Sequence, residues 1–360
     1  MPEAASQPHS IRYIYKLTLL LQALLCLVGC DRELCYNHYR AIAFSVEWER
    51  EWERDLGAEH SRVWDDHGLG FEYADLVPEE GDGLTVMIYD IDRDLYEYHY
   101  VPHGSSDEVT VGEGRHSLML FSNDTEHVTF NALTNPILAQ ATTTRVYRGT
   151  YAGASGEPTL HEPEMLYAAY INQIAELQVH DRLELEALMQ PMVFTYVLKV
   201  DFDAGIEHVA YARGALSGMA LGVYLRCGAT TAETATILFD DCEITSDGVV
   251  ARVRSFGLPN FVDRAYFGPW TDYVDQIVQP LSSADTKQIF TLEVMLTGGK
   301  IMTFDFDVSD QIQAQPAGGV VKSAGVVVRD EDNVVTGGGF DVTVGGWDDV
   351  VDIDLPISPL

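Results

Sequence analysis

The thiol of Cys30 lies at the end of a pattern that directs covalent attachment of a lipid. A polar start with Arg12 and Lys16 precedes the nearly uncharged stretch 17–27, and Gly29 stands immediately before the cysteine. This order is typical of a lipoprotein signal peptide at 1–29, which a peptidase removes so that the mature chain begins at Cys30. The apolar stretch is too short to span a bilayer, which needs about 20 apolar residues. We therefore expect a diacylglycerol on Cys30 that tethers the protein to a membrane. The alternative is an ordinary secretory signal with an incidental cysteine.

Two further cysteines, Cys227 and Cys242, could form a disulfide in an exported protein. The bond would close a loop of about 15 residues and stabilise the fold by about 3 kcal/mol in the chain-entropy model. Both cysteines also continue apolar faces, because Cys227 follows Val223 and Leu225 and Cys242 is in phase with Ile244. Two small buried thiols are therefore the competing interpretation.

The acidic residues form no recognisable metal or catalytic motif. Asp90, Asp92 and Asp94 alternate as in a calcium loop, but the sixth and twelfth positions hold Leu95 and Val101 instead of glycine and glutamate. The sequence also lacks a Gly-x-Ser-x-Gly nucleophile turn, a phosphate-binding loop and a Cys-x-x-Cys pair. We predict a protein that is not an enzyme and has no catalytic, cofactor-binding or metal-binding residues.

The chain of 360 residues carries a formal net charge of −34. A surface this acidic repels phosphate backbones and anionic lipid headgroups, so we expect no nucleic-acid partner. The length exceeds what one hydrophobic core usually organises, which favours two domains.

Period-two alternation of apolar and polar residues dominates the sequence after the signal peptide. Ile42, Phe44, Val46 and Trp48 share one side of the first such segment, which is the pattern of a half-buried antiparallel strand. The same alternation predicts strands over 84–89, 117–121, 193–200, 249–256, 290–296 and 302–308. The segment 165–177 fits a helix or a strand. Many strands with few helices predict an all-β protein built of β-sandwich domains.

One hairpin can be registered from its glycines. A two-residue turn at 298–299 splits the apolar residues between both faces, whereas a three-residue loop at 298–300 pairs Leu296 with Met302 and keeps them on one side. We therefore predict a bulged three-residue loop with a glycine in the left-handed conformation.

The polar stretch His180–Glu186 marks the predicted boundary between an N-terminal domain, 30–180, and a C-terminal domain, 181–360. Within the first half, the segment 52–83 is dense in Asp and Glu and contains several glycines. Acidic runs of this kind are usually solvated, so we predict a loop on the surface.

Several short motifs occur in an order that resembles a known family. In the first half they are Leu27–Cys30, Cys30–Leu34, Glu47-Trp48, Gly83–Tyr89 and Ser122–Thr125. In the second half they are Arg213–Ala220, Phe256–Leu258 and Gly339–Val342 with Trp347. This order is similar to that of the fimbrillin-like lipoproteins of Bacteroidales, which include a large branch known only as a domain of unknown function. The acidic insertion before Leu84 is not part of the family pattern.

The resemblance implies a fold, a location and a role. The fold is two transthyretin-like β-sandwich domains after the N-terminal lipoprotein signal peptide. The location is the cell surface, with an acyl anchor such as palmitate in the outer membrane. The role is that of a fimbrial subunit, anchor or tip in cell adhesion, with other fimbrial subunits and a host or bacterial surface ligand as partners.

The resemblance also implies an assembly mechanism. In polymerising members an arginine-specific protease removes the N-terminal segment and opens a groove that a strand of a partner subunit fills, which is β-strand addition. The candidate cleavage points here are Arg32, Arg40, Arg50 and Arg54.

A surface glycan-binding lipoprotein is the alternative function. It would also be acidic, exported and β-rich, but it should present exposed aromatic side chains on one platform that stacks on sugar rings. The tryptophans are scattered along the sequence at Trp48, Trp52, Trp64, Trp270 and Trp347. Because Trp48 is also in phase with core residues, we favour adhesion.

Overall fold

The computed structural model describes residues 40–49, 60–102, 108–149, 151, 156–174, 176–178, 181–262 and 286–333. Within these ranges the chain is mostly strand, which confirms the predicted all-β class. The strands are β1 (Ala41–Trp48), β2 (Gly83–Asp90), β3 (Leu95–Pro102), β4 (Glu108–Thr110), β5 (His116–Ser122), β6 (Val128–Asn131), β7 (Gln140–Thr143), β8 (Thr159–His161), β9 (Tyr167–Ile174), β10 (Arg182–Pro191), β11 (Phe194–Ala204), β12 (Val209–Ala220), β13 (Gly222–Tyr224), β14 (Thr234–Phe239), β15 (Cys242–Ile244), β16 (Gly248–Ser255), β17 (Ile289–Leu296), β18 (Ile301–Asp307) and β19 (Gly319–Val327). The helices are α1 (His60–His67) and α2 (Ser309–Ala314), and 3-10 turns lie at Tyr73–Leu76, Ile206–His208 and Asp330–Asn333.

Each of the seven alternating segments contains a strand, namely β1, β2, β5, β11, β16, β17 and β18. The undecided segment 165–177 contains β9. The predicted signal peptide and Cys30 lie outside the described residues.

A seven-stranded sheet with the order β3-β2-β5-β9-β10-β1-β4 forms the N-terminal domain. Within it, β10 pairs with β9 only through Gln190 and Pro191, whereas its residues 182–189 pair with β1. Ile42 of β1, Leu118 of β5 and Met189 of β10 share one buried cluster, so strands from both parts of the sheet contribute to the same core. The prediction that β1 is antiparallel is wrong for its longer contact: it runs parallel to β10 over its whole length and antiparallel to the three-residue β4.

Two sheets packed face to face form the C-terminal domain, with the orders β15-β16-β11-β19 and β18-β17-β12-β14-β8. Leu198 of β11, Leu216 of β12 and Leu292 of β17 are fully buried between them. These positions alternate with outward residues along each strand, as expected of a sandwich.

A buried ionic network crosses the second of these sheets. Arg213 on β12 faces Glu293 on β17, with 2.6 Å between Nε and Oε2. Arg148 Nη1 lies 3.8 Å from the same carboxylate oxygen, and its Nη2 bonds Asp240 at 2.6 Å. Burial lowers the pKa of the Arg148 guanidinium, which the charge of Asp240 opposes. The buried Glu293 thus pairs with both guanidinium groups, and the exposed Asp240 pairs with Arg148 as well.

The two halves of the chain exchange strands. From the first half, β8 adds to the C-terminal sandwich by pairing parallel with β14. From the second half, β13 pairs with β7 in the small sheet β13-β7-β6, which packs on the open face of the N-terminal sheet. The N-terminal sheet also extends past the predicted boundary at residue 180, because β10 is one of its strands. Met192 and Val193 connect β10 of this sheet to β11 of the next one.

The described part of the acidic insertion, 60–83, is not the solvated loop that its composition predicts, and 52–59 lie outside the described residues. The segment 60–77 contains α1 and a 3-10 turn, and Trp64, Leu69 and Leu76 pack on Val197, Val250 and Val320 of the C-terminal sandwich. Lys199 on β11 donates from Nζ to the backbone oxygens of His67 and Gly68, at 3.4 and 3.1 Å. Three large apolar side chains outweigh the acidic average, so this segment, the strap, covers the outer face of the second domain.

The β17–β18 hairpin has the predicted kind of loop in a different place. Leu296 N–H donates to Lys300 O and Gly299 N–H to Leu296 O, which makes 297–299 the three-residue loop. Gly299 has a φ of +85°, in the left-handed region. The register is therefore shifted by two residues from the prediction, with Val294 opposite Met302. Because a two-residue shift preserves the face, the apolar side chains still share one side.

Candidate functional site

The first strand occupies the position from which the N-terminal sheet could be opened. It lies next to last in the sheet, and its removal would leave β10 as an edge facing the short β4. The backbone N–H of Ala41 donates to Asp181 O and that of Glu49 to Met189 O, which bracket the strand. β1 is therefore held by a long ladder of backbone hydrogen bonds to β10 and a short one to β4.

The inward side chains of β1 fill sockets in the core of the N-terminal domain. Ile42 is fully buried and Phe44 is 8% exposed. The Trp48 ring packs edge-to-face on Tyr167 at 5.0 Å, which confirms that this tryptophan belongs to the core pattern. Burying each such side chain contributes roughly 1.5–3 kcal/mol. A strand of the same pattern from another molecule would find the same sockets.

Two of the four candidate cleavage points precede β1 in the sequence and two follow it. Arg40 immediately precedes the strand and is only 5% exposed. Its Nε donates to Leu177 O at 2.7 Å and its Nη2 lies 3.3 Å from Glu113, so the folded chain shields it from a protease. Arg32, Arg50 and Arg54 lie outside the described residues. Of the four, only Arg50 and Arg54 follow β1 in sequence.

The candidate disulfide between Cys227 and Cys242 is absent, and both thiols are free. Cys227 packs in a small cluster with Ala229, whereas Cys242 lies on β15 against the main core of the C-terminal domain. Burial raises the pKa of Cys227 to about 11 and that of Cys242 to about 12. Thiols with such high pKa values are poor nucleophiles at neutral pH. The two residues therefore behave as small hydrophobic side chains.

An acidic cleft of about 590 Å³ lies between the strap and the two domains. Eight of its lining residues are Asp or Glu and two are Arg. Glu162 bonds Arg254 at 3.0 Å, and burial raises the pKa of Glu162 against the effect of that guanidinium. Among the described residues, no group of His, Cys, Asp and Glu is arranged to hold a metal ion.

A row of exposed tyrosines on β3 is a surface that the sequence reasoning missed. Tyr96, Tyr98 and Tyr100 are 48%, 74% and 62% exposed on the outermost strand of the N-terminal sheet. The alternation in Leu95–Pro102 could have revealed it, because every second residue from 96 to 100 is tyrosine. The two described tryptophans, Trp48 and Trp64, are both engaged in packing.

Comparisons with known proteins give a family and a fold. The model of the family described as "Domain of unknown function (DUF5119)" matches residues 52–240, more than half of the chain. A search of curated proteins finds no match. Neither described helix is long and apolar enough to cross a membrane.

Solved structures from Bacteroidales resemble the chain. A "putative adhesin" from Bacteroides ovatus aligns with a TM-score of 0.54 and 16% identity, over 81% of this chain and 90% of that one. A second B. ovatus structure of the same description aligns with a TM-score of 0.46 and 8% identity, over 82% and 90%. The fimbrial anchor protein Mfa2 from Porphyromonas gingivalis aligns with a TM-score of 0.42 and 13% identity, over 82% and 94%. The first of these similarities shows a shared fold.

Proposed function

Because the chain belongs to the DUF5119 family and has the fold of a B. ovatus structure described as a "putative adhesin", we propose that it is a cell-surface adhesion protein. In this proposal it is a fimbrial subunit, anchor or tip that joins partner subunits by β-strand addition. The order of motifs shared with fimbrillin-like lipoproteins supports the same role. This role needs exposed strand edges and a replaceable strand, and it needs no catalytic residues.

The position of β1 is the observation that carries the proposal. The strand is close to one edge, pairs parallel with β10 and fills sockets with Ile42 and Phe44. Cleavage after Arg50 or Arg54 separates β1 from the rest of the chain, whereas cleavage after Arg32 or Arg40 leaves it attached. We therefore assign processing to Arg50 or Arg54.

Trimming the purified protein with an arginine-specific protease is expected to release β1 and produce ordered polymers. Sequencing of the new N-terminus identifies the cut, and negative-stain electron microscopy detects the polymers. The double variant Arg50→Lys/Arg54→Lys is the matched control, because it keeps the charge but removes the two candidate cleavage points that follow β1. It should keep β1 and stay monomeric.

A synthetic peptide of residues 41–48 tests the groove independently of polymer formation. It should bind the trimmed protein and block its assembly, since it restores the missing strand. The same peptide with Phe44→Asp should do neither, because a carboxylate cannot enter an apolar socket without a large desolvation cost. If trimmed protein lacking β1 neither polymerises nor binds the peptide, β-strand addition at this groove is wrong.

Before that processing, lipid attachment at Cys30 is the proposed means of retention in the outer membrane. Cells grown with a radioactive fatty acid should label the wild-type protein and leave Cys30→Ala unlabelled, because the thiol is the acceptor. Cys35→Ala serves as the control and should label normally. Equal labelling of wild type and Cys30→Ala would contradict the lipoprotein assignment.

A further inference from the structure

The three tyrosines on β3 lie on the same face of the N-terminal sheet as the small sheet β13-β7-β6, but they remain exposed. Tyr96, Tyr98 and Tyr100 stand opposite Tyr89, Met87 and Thr85 of β2. Met87 and Tyr89 are buried in the cluster that the small sheet β13-β7-β6 covers. The tyrosine row therefore continues a buried apolar face into solvent, with no strand on its outer side among the described residues.

The spacing of the row is regular. Side chains two residues apart on a strand emerge about 7 Å apart, so the three rings span about 14 Å. Single exposed apolar residues are normal, but a contiguous exposed patch marks an interaction surface. No packing role accounts for three adjacent rings that are each about half exposed or more.

The last ring of the row lies close to Gly83 of β2. A Cβ added to Gly83 would lie 3.1 Å from Tyr100 Oη and 3.2 Å from its Cε2. The Tyr100 ring thus lies over β2 in the space that a larger residue would fill, while 62% of the residue stays exposed.

The chemistry of the row favours an uncharged polyhydroxyl ligand. Tyrosine rings offer an apolar face for the C–H groups of a sugar and a hydroxyl that donates and accepts hydrogen bonds. The net charge of −34 repels anionic ligands. A partner strand added at this edge would be held mainly by backbone hydrogen bonds, which do not need aromatic rings.

We propose that Tyr96, Tyr98 and Tyr100 form a platform that binds a neutral oligosaccharide by ring stacking. The inference rests on the proposed adhesive function and gives it a ligand class. The platform lies on β3, at the end of the sheet opposite β1 and β4. Ligand binding and subunit joining therefore use different surfaces.

Binding of the full mature chain to an array of uncharged glycans, followed by calorimetry with the best binder, tests the platform. Tyr98→Ala should weaken binding about tenfold, the equivalent of about 1.4 kcal/mol for a lost stacking ring. The triple variant Tyr96→Ala/Tyr98→Ala/Tyr100→Ala should show no binding. Tyr98→Phe keeps the ring and should bind within about threefold of wild type.

Tyr147→Ala is the matched control. Tyr147 is 64% exposed but lies outside β3, so its loss should leave saccharide binding unchanged. Circular dichroism and thermal melting of each variant should match wild type, because the substituted side chains are exposed.

Three outcomes would overturn the inference. They are the absence of any bound neutral glycan, binding that survives the triple variant, and self-association that depends on the row while no saccharide binds. The last result would make the row a contact between copies of the chain. The peptide-rebinding assay on trimmed protein is independent of β3, so a failure here leaves the assembly proposal standing.

Discussion

Replacing Glu293 by glutamine is expected to lower the free energy of unfolding by about 3 kcal/mol. The carboxylate lies 2.6 Å from Arg213 Nε and 3.8 Å from Arg148 Nη1, and its side chain is 4% exposed. Removing one partner of a buried ion pair costs about 3–5 kcal/mol, because the remaining charge stays out of water. Glutamine keeps an oxygen that can accept a hydrogen bond, so we expect a loss of stability at the lower end of this range. Urea unfolding followed by circular dichroism measures the change.

Two variants separate the buried charge from ordinary surface pairing. Glu184→Gln removes a carboxylate that pairs with Arg182 while 78% exposed, and it should cost less than about 0.5 kcal/mol. The double variant Arg213→Met/Glu293→Leu should lose less stability than Glu293→Gln, since it removes both charges of the closest pair and Arg148 keeps its bond to Asp240. A loss as small for Glu293→Gln as for Glu184→Gln would show that the network contributes no stability.

Trp64→Ala is expected to cost about 3–5 kcal/mol and to detach the strap from the C-terminal domain. The ring is 6% exposed and contacts Phe71 and Tyr73 edge-to-face, and its Nε1 donates to Phe71 O at 2.8 Å. Its loss removes the largest side chain from the cluster over Val197. Hydrogen exchange measured by mass spectrometry should show faster exchange across 60–77.

The control for this variant lies on the same helix. Asp66 is exposed on α1, so Asp66→Ala should change stability by less than about 0.5 kcal/mol. Trp64→Phe keeps an aromatic ring without the indole N–H and should fall between the two. Unchanged exchange in Trp64→Ala would mean that the remaining contacts, such as Lys199 with Gly68, hold the strap by themselves.

Local periodicity predicted the strands because alternation is imposed by the strand itself. The residues 84–89 and 290–296 read as strands from side-chain order alone, and they are β2 and β17. The hairpin loop type followed from its glycines, but the register was wrong by two residues, since both registers place Val294 on the same face. Pairing between distant segments leaves no such local signal. The parallel contact of β1 with β10 and the insertion of β8 beside β14 were therefore not predictable.

The composition of the strap gave a wrong prediction, because a few buried apolar residues dominate its packing energy. The strap is acidic on average, but Trp64, Leu69 and Leu76 are buried and anchor it on the C-terminal sandwich. The tyrosine row has a local pattern and was predictable in principle. Its exposure was not, because period two is the same for a covered and an uncovered sheet face.

The exchange of strands between the two halves fixes the order in which the chain can fold. A chain emerging from its N-terminus cannot complete the first sheet before β10 has been made, nor cover its open face before β13 follows. The second domain in turn depends on β8, which was synthesised long before it. Contacts between segments so distant in sequence form slowly, because a long loop must close before any of them is gained. Folding thus waits for residues far downstream, and the nascent first half stays open while the rest of the chain is made.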